Sequence, residues 1–164
     1  MIKGKKLWMW AVVCLVMIIA AVGIGRWAVS SGAKEIKGYM IIQDNILYLD
    51  ELEIITLEDT KRIDELGLEP AADMPDGYYI YNADTEQQEF ALTDKTTYTF
   101  VDFNLLFVKD EDGDRQYTTT NKAEFLQYLD TSYADYPRAH RVPFYIKVKN
   151  GKVISVTEKF EYTI

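Results

Sequence analysis

Cysteine and histidine are nearly missing from this chain: Cys14 and His140 are the only ones in 164 residues. A single cysteine excludes an intrachain disulfide. One cysteine and one histidine cannot make the ligand set that a zinc site needs. A thiol nucleophile is equally excluded, because Cys14 lies inside an apolar run. The serines that a hydrolytic triad could use, Ser132 and Ser155, do not stand in a Gly-x-Ser-x-Gly elbow. There is no glycine-rich phosphate loop, no internal repeat and no proline- or serine-rich stalk. Acidic residues are absent from the first 33 positions, and tryptophan is absent after Trp27.

Those two last absences frame what is present. Lys3, Lys5 and Lys6 precede an uninterrupted apolar run over residues 7–25, which Arg26 and Trp27 close. As a helix the run spans roughly 28 Å, the thickness of a bilayer's hydrocarbon core. Trp8 and Trp10 at one end and Trp27 at the other suit the headgroup level. The lysine-rich tail predicts a cytoplasmic N-terminus. The expected organisation is a cytoplasmic tail (1–6), a transmembrane anchor contacting lipid (7–27), a linker (28–37) and an extracytoplasmic domain (38–164). Ser31-Gly32-Ala33 offers a signal-peptidase site, but the apolar run exceeds the ~7–15 residues of a cleaved signal. Cys14 follows Val13, where a lipidation motif needs a small residue, so it reads as a thiol packed in lipid.

Four of the 18 basic residues and none of the 26 acidic ones fall in the first 33 positions. The rest of the chain therefore carries 14 basic against 26 acidic residues, a formal net charge of −12. Such a domain repels nucleic acid and other polyanions. All 12 tyrosines and 7 phenylalanines belong to it, which gives ample apolar area for one core.

Strand patterns dominate the domain. Residues 38–42 and 46–49 flank Gln43-Asp44-Asn45, a hairpin signal, and Glu53-Ile54-Ile55 extends the second strand. Thr56-Leu57-Glu58-Asp59 resembles a capping box before a short helix over 57–66, which Gly67 stops. Residues 71–76 read as a loop, and strands are expected at 78–82, 89–92 and 97–103. Residues 109–115 form a charged turn around Gly113. Asn121 caps a second helix to Leu129, with Phe125, Leu126 and Leu129 as its buried stripe. Asn150-Gly151 joins strands at 144–149 and 152–160, the strongest hairpin signal in the chain. The fold class is α+β, mainly antiparallel β: a small curved sheet or OB-like, partly open barrel with two short helices, preceded by one transmembrane helix.

Two places invite a site. Alternation puts Tyr78 and Ile80 on one face of a strand and Tyr79 and Tyr81 on the other. One pair belongs to the core; Tyr79 and Tyr81 are the candidate binding platform, against the plainer reading of tyrosines packed under a loop. Asp110, Asp112 and Asp114 alternate around Gly113. With Gly113 at the sixth position of an EF-hand loop, positions one and twelve are Val108 and Thr119. Neither can supply a carboxylate, so an EF-hand is excluded. A hydrated cation site or a solvated turn remains. His140 sits in a basic island, Arg138-Ala139-His140-Arg141, and reads as a surface residue.

The stretch Asp73-Met74-Pro75-Asp76-Gly77-Tyr78-Tyr79-Ile80-Tyr81-Asn82 and the closing hairpin over residues 144–158 resemble an uncharacterised family of exported or membrane-anchored bacterial domains, found mainly in Gram-positive organisms. Its members pair a P-N-G-Y-Y-I-Y-N-P-like centre with an I-x-V-x-(N/D)-G-x-V-x-x-I-x-E-Q hairpin. This chain departs from that pattern at Asp76, Ala83 and Lys159 and carries an apparent insertion around residues 109–117. The resemblance implies an exported single domain and carries no activity. The functional expectation is a membrane-tethered, non-catalytic binding module without a cofactor, its partner another envelope or membrane protein. The alternatives are a carboxylate-dependent envelope hydrolase and a divalent-cation-binding envelope protein.

Overall fold

Apolar residues at every second position, from Ile36 through Met40 to Ile42, make the first strand one wall of the core. The computed structural model describes residues 32–83, 86–109, 113–133 and 142–159. The chain divides into two compact units, Met1–Gly32 and Ala33–Ile164. The expected transmembrane anchor at 7–27 lies outside the described residues. Among the described residues, no helix is long and apolar enough to cross a membrane.

The second unit holds nine described strands and three described helices: β1 (Lys34–Gln43), β2 (Ile46–Glu51), β3 (Glu53–Thr56), α1 (Thr60–Leu66), α2 (Pro70–Asp73), β4 (Tyr78–Tyr81), β5 (Gln87–Ala91), β6 (Thr97–Val101), β7 (Gln116–Thr119), α3 (Lys122–Ser132), β8 (Phe144–Lys149) and β9 (Lys152–Glu158). Seven strands form one sheet in the order β5-β2-β1-β8-β9-β6-β7. Most neighbours are antiparallel. β5 also meets β9 in parallel at Ala91 and Lys152, where Ala91 N donates to Gly151 O at 3.0 Å. That contact partly closes β1, β2, β5, β9 and β8 into a ring. The far end of β9 pairs in parallel with β6 instead.

The ring encloses Met40, Leu47, Leu49, Phe144, Ile146 and Val156, all buried. α3 plugs it on the β6 side. There Tyr98 stacks on Phe125 with centroids 4.6 Å apart, and Phe100 stacks on Tyr128 at 4.0 Å. Ring pairs of this kind add about 0.5–1.5 kcal/mol each beyond the area they bury.

The closing hairpin forms as the sequence predicts, with Asn150 at φ 52° and Gly151 at φ 72°. Asn121 Oδ1 caps α3 through Ala123 N at 3.0 Å, and Gly67 ends α1 at φ 65°. Other expectations are corrected. β1 begins at Lys34, inside the segment read as linker, because Ile36 is buried and residues 34–38 pair with β8. β3 does not extend β2; the chain turns at Leu52, whose N–H reaches Lys37 O, and β3 pairs with β4 alone. α1 starts at Thr60 and not at residue 57, since Asp59 Oδ2 accepts from Thr56 N and Oγ1 and holds residues 56–59 as a turn. Pro70 nucleates α2 where a loop was expected, making three described helices and not two. β7 was not anticipated. Tyr128 joins Phe125 and Leu129 in the buried stripe of α3, while Leu126 is half-buried.

Candidate functional site

The segment between β2 and β5 lays a second layer on the outside of the ring. The register of β3 and β4 sets Ile54 against Ile80 and Ile55 against Tyr79. One face of this ribbon, with Ile54, Tyr78 and Ile80, packs on Tyr39, Leu52 and Tyr145. The other carries Tyr79 and Tyr81 and packs on Ile55, Ile63 and Met74 beneath α1. Both faces are thus covered, and all four β4 side chains are half-buried. Tyr79 and Tyr81 do not form one open platform. They part in role, because Tyr81 also lines an open cleft.

That cleft, about 530 Å³, is walled by Glu51, Glu53, Arg62, Tyr81, Glu86 and Gln88. Arg62 projects from α1 and donates through Nε to both oxygens of Glu53, at 3.2 and 3.0 Å, and through Nη1 to Glu65 at 3.1 Å. Its guanidinium carbon lies 5.1 Å from the centroid of the Tyr81 ring. The bonds to Glu53, then Glu65, hold the guanidinium above its ordinary pKa. Gln88 Nε2 donates to Glu51 Oε2 at 2.7 Å. Beside the cleft Asn82 Nδ2 donates to the buried Asp50 at 2.9 Å. Burial raises the pKa of Tyr39 on the same face, and the Asp50 charge raises it further. Lys34 Nζ lies 3.9 Å from Glu51 Oε1, so the three carboxylates of the cleft face two cations, and with the aromatic wall they leave one net negative charge suited to a cationic, hydrogen-bonding guest.

Two further carboxylates are buried in the core. Glu158 accepts from Tyr128 Oη at 2.6 Å, from Tyr133 Oη, and from Val101 N at 3.0 Å. Asp102, 0% exposed, accepts from Phe107 N at 2.6 Å and Val108 N at 3.1 Å through Oδ2. Neither lines the cleft. Both were missed in the sequence, although alternation offered the signal: Tyr98, Phe100 and Asp102 share one face of the chain, as do Val156 and Glu158.

Burial is the first cause that raises the phenol pKa of Tyr128 and Tyr133, with the Glu158 charge second; burial alone pushes Tyr98 up to about 12. The linkage is definite in sign. Above the ordinary tyrosine value of 10.0 the unfolded phenols lose protons that the folded ones keep, so stability falls as pH rises. Tyr98 and Tyr128, each at most 1% exposed, should together give a slope of roughly 2 kcal/mol per pH unit between about pH 10 and pH 11. Urea unfolding followed by circular dichroism between pH 8 and pH 12 checks this. A flat profile would show that these phenols ionise while still folded.

Of the aspartate candidates, Asp114 Oδ1 accepts from Gln116 N at 3.0 Å and closes a turn. Asp110, Asp112 and His140 lie outside the described residues. Among the described residues no group of three or more histidine, cysteine, aspartate or glutamate side chains could hold a metal ion. Comparison with known proteins returned no matching family model, no matching curated protein and no matching solved structure.

Proposed function

We propose that this chain is a membrane-tethered, extracytoplasmic binding module that seats a cationic peptide segment in the cleft beside Tyr81. The observation that carries the reading is the acidic cleft itself, built by a segment inserted between two strands of the ring. We read that ring as OB-like: β1, β2, β5, β8 and β9 follow the five-strand order, with the third and fifth members parallel and α3 between the third and fourth. OB-like barrels usually bind ligands with the loops joining strands one to two and four to five. Here those connections are the two-residue turns Asp44-Asn45 and Asn150-Gly151, too short to grip anything. The inserted ribbon and α1 take over that task. The Asp73–Asn82 stretch that resembles exported bacterial domains supplies the β4 wall. The net charge of −12 argues for a basic ligand and against nucleic acid.

One experiment tests tether, orientation and cleft together. A labelled, membrane-impermeant lysine-rich peptide is added to right-side-out and inside-out vesicles carrying the full chain. Binding should appear on right-side-out vesicles alone. It should weaken about tenfold in the Glu51→Gln/Glu86→Gln double variant and with Tyr81→Ala. Binding on inside-out vesicles alone would overturn the orientation. Equal binding of a glutamate-rich peptide, or indifference to these substitutions, would overturn the cleft.

A further inference from the structure

Five large hydrophobic side chains are exposed among the described residues, and three of them fall within four consecutive positions: Phe103 at 50%, Leu105 at 40% and Leu106 at 37%. The other two stand apart, Leu57 in the turn before α1 and Ile154 on β9. The cluster caps the connection from β6 to β7. It is not a slack loop. The buried Asp102 pins the Phe107 and Val108 amides, and its backbone oxygen accepts from Leu105 N at 3.2 Å. Asn104 Nδ2 donates to Ser132 Oγ at 3.0 Å, which ties the turn to the end of α3. Phe107 folds inward, stacked on Tyr117 with centroids 5.1 Å apart and edge-on to Phe100 at 6.0 Å.

This arrangement carries two costs. Leu105 sits at φ 54°, in the left-handed region that a leucine occupies only under constraint. Asp102 Oδ1 is buried with no hydrogen-bond partner. Neither is needed to connect two strands, as the polar Asn150-Gly151 turn of the same domain demonstrates. What both achieve is a rigid turn that holds three apolar side chains in water.

We infer that this tip is a docking surface for a protein partner that offers an apolar pocket with a basic rim. Charge selects the occupant. The domain that carries the tip has a formal net charge of −12. An anionic lipid surface is repelled, and so is a second copy of this chain. Position agrees. The tip adjoins Glu158, which bonds Val101 N, whereas β1 begins at Lys34, opposite Val148 and beside the Asn150-Gly151 turn. The chain thus enters at the other end of the β8–β9 hairpin, roughly 15 Å away along the strands. The tip shares no residue with the acidic cleft, so the two surfaces are separable.

The test uses the full chain in zwitterionic nanodiscs and, as probe, an amphipathic helical peptide of leucine and lysine. The variants are Phe103→Ser and Leu105→Gly. The glycine variant relieves the positive φ while deleting the apolar side chain, so it should unfold later than the parent and yet bind worse. Binding should fall about tenfold in each variant. It is measured with the cleft saturated by an excess of the leucine-free lysine-rich peptide, which separates this surface from the cleft. Unchanged binding in both tip variants would overturn the proposal. So would equal binding of a leucine–glutamate peptide. Self-association of the chain, or adsorption to anionic vesicles, that the tip variants abolish would also overturn it, by assigning the tip to another occupant.

Discussion

Glu158→Ala should lower the unfolding free energy of the outer domain by about 3–5 kcal/mol. The reasoning counts donors. Glu158 is 5% exposed and receives the Tyr128 hydroxyl, the Tyr133 hydroxyl and the Val101 amide. Alanine leaves all three donors without an acceptor, and each unpaired buried group costs about 1–3 kcal/mol. It also opens a void beside Tyr128, which is 0% exposed and stacked on Phe100. Water entering that void would recover part of the loss, which is why the sum stays below three full penalties. Tyr133→Phe removes one donor along with its bond and should cost only about 1 kcal/mol. Denaturant titrations of the three proteins give the comparison, read by circular dichroism because no tryptophan follows Trp27. If Glu158→Ala and Tyr133→Phe proved equally mild, the hydroxyls would be finding other partners and the network would not hold α3 to β9.

The network matters beyond its own energy because it organises the docking tip. Val101 ends β6, and its amide is fixed by Glu158; Asp102 follows at once and pins the turn. Two buried carboxylates acting at adjacent residues, Glu158 on Val101 and Asp102 at the next position, therefore convert the end of a core strand into a rigid exposed loop. The first locks the strand to α3 and β9. The second sets the conformation in which Phe103, Leu105 and Leu106 face water.

How much of this was legible depends on how local the cause is. Gln43-Asp44-Asn45, Asn150-Gly151, Gly67 and the Asn121 cap act within a few residues, and the structure keeps all of them. The strands read cleanly where alternation is apolar, as in β1 and β8. β7 escaped because Gln116-Tyr117-Thr118-Thr119 offers one apolar residue on an edge strand. The closure between β5 and β9 rests on one residue pair, Ala91 and Lys152, and no local pattern encodes such a contact. The cleft shows the same limit. Arg62 meets Glu53 nine positions away only because β3 pairs with β4 under α1. Tyr79 and Tyr81 were identified as sharing a face, correctly by alternation. What covers that face, Ile63 and Met74, became visible only in three dimensions.

Gly38→Ala is the second substitution with a large expected effect, roughly 2–3 kcal/mol of destabilisation, at the upper end of overpacking costs. Gly38 faces Glu51 on β2 and Phe144 on β8, the point where the long first strand passes from one neighbour to the other. A Cβ there would stand 2.4 Å from Asp50 O, 2.6 Å from Leu49 Cδ1 and 3.0 Å from the Asp50 carbonyl carbon. Leu49 Cδ1 could swing aside; the Asp50 backbone cannot, because Asp50 is paired with Tyr39 on one side and Gln87 on the other. The requirement is steric and not conformational, since Gly38 is not at positive φ. Alanine would otherwise stabilise by about 0.4–1 kcal/mol through the unfolded chain, and the clash must exceed that gain. Gly151 gives the opposite case, with φ 72° and nothing within 4 Å of an added Cβ. Its alanine variant should lose only about 1 kcal/mol, from backbone strain alone. Thermal unfolding of both variants separates the causes. A Gly38→Ala protein as stable as the parent would mean that β1 and β2 can part at Asp50 without cost.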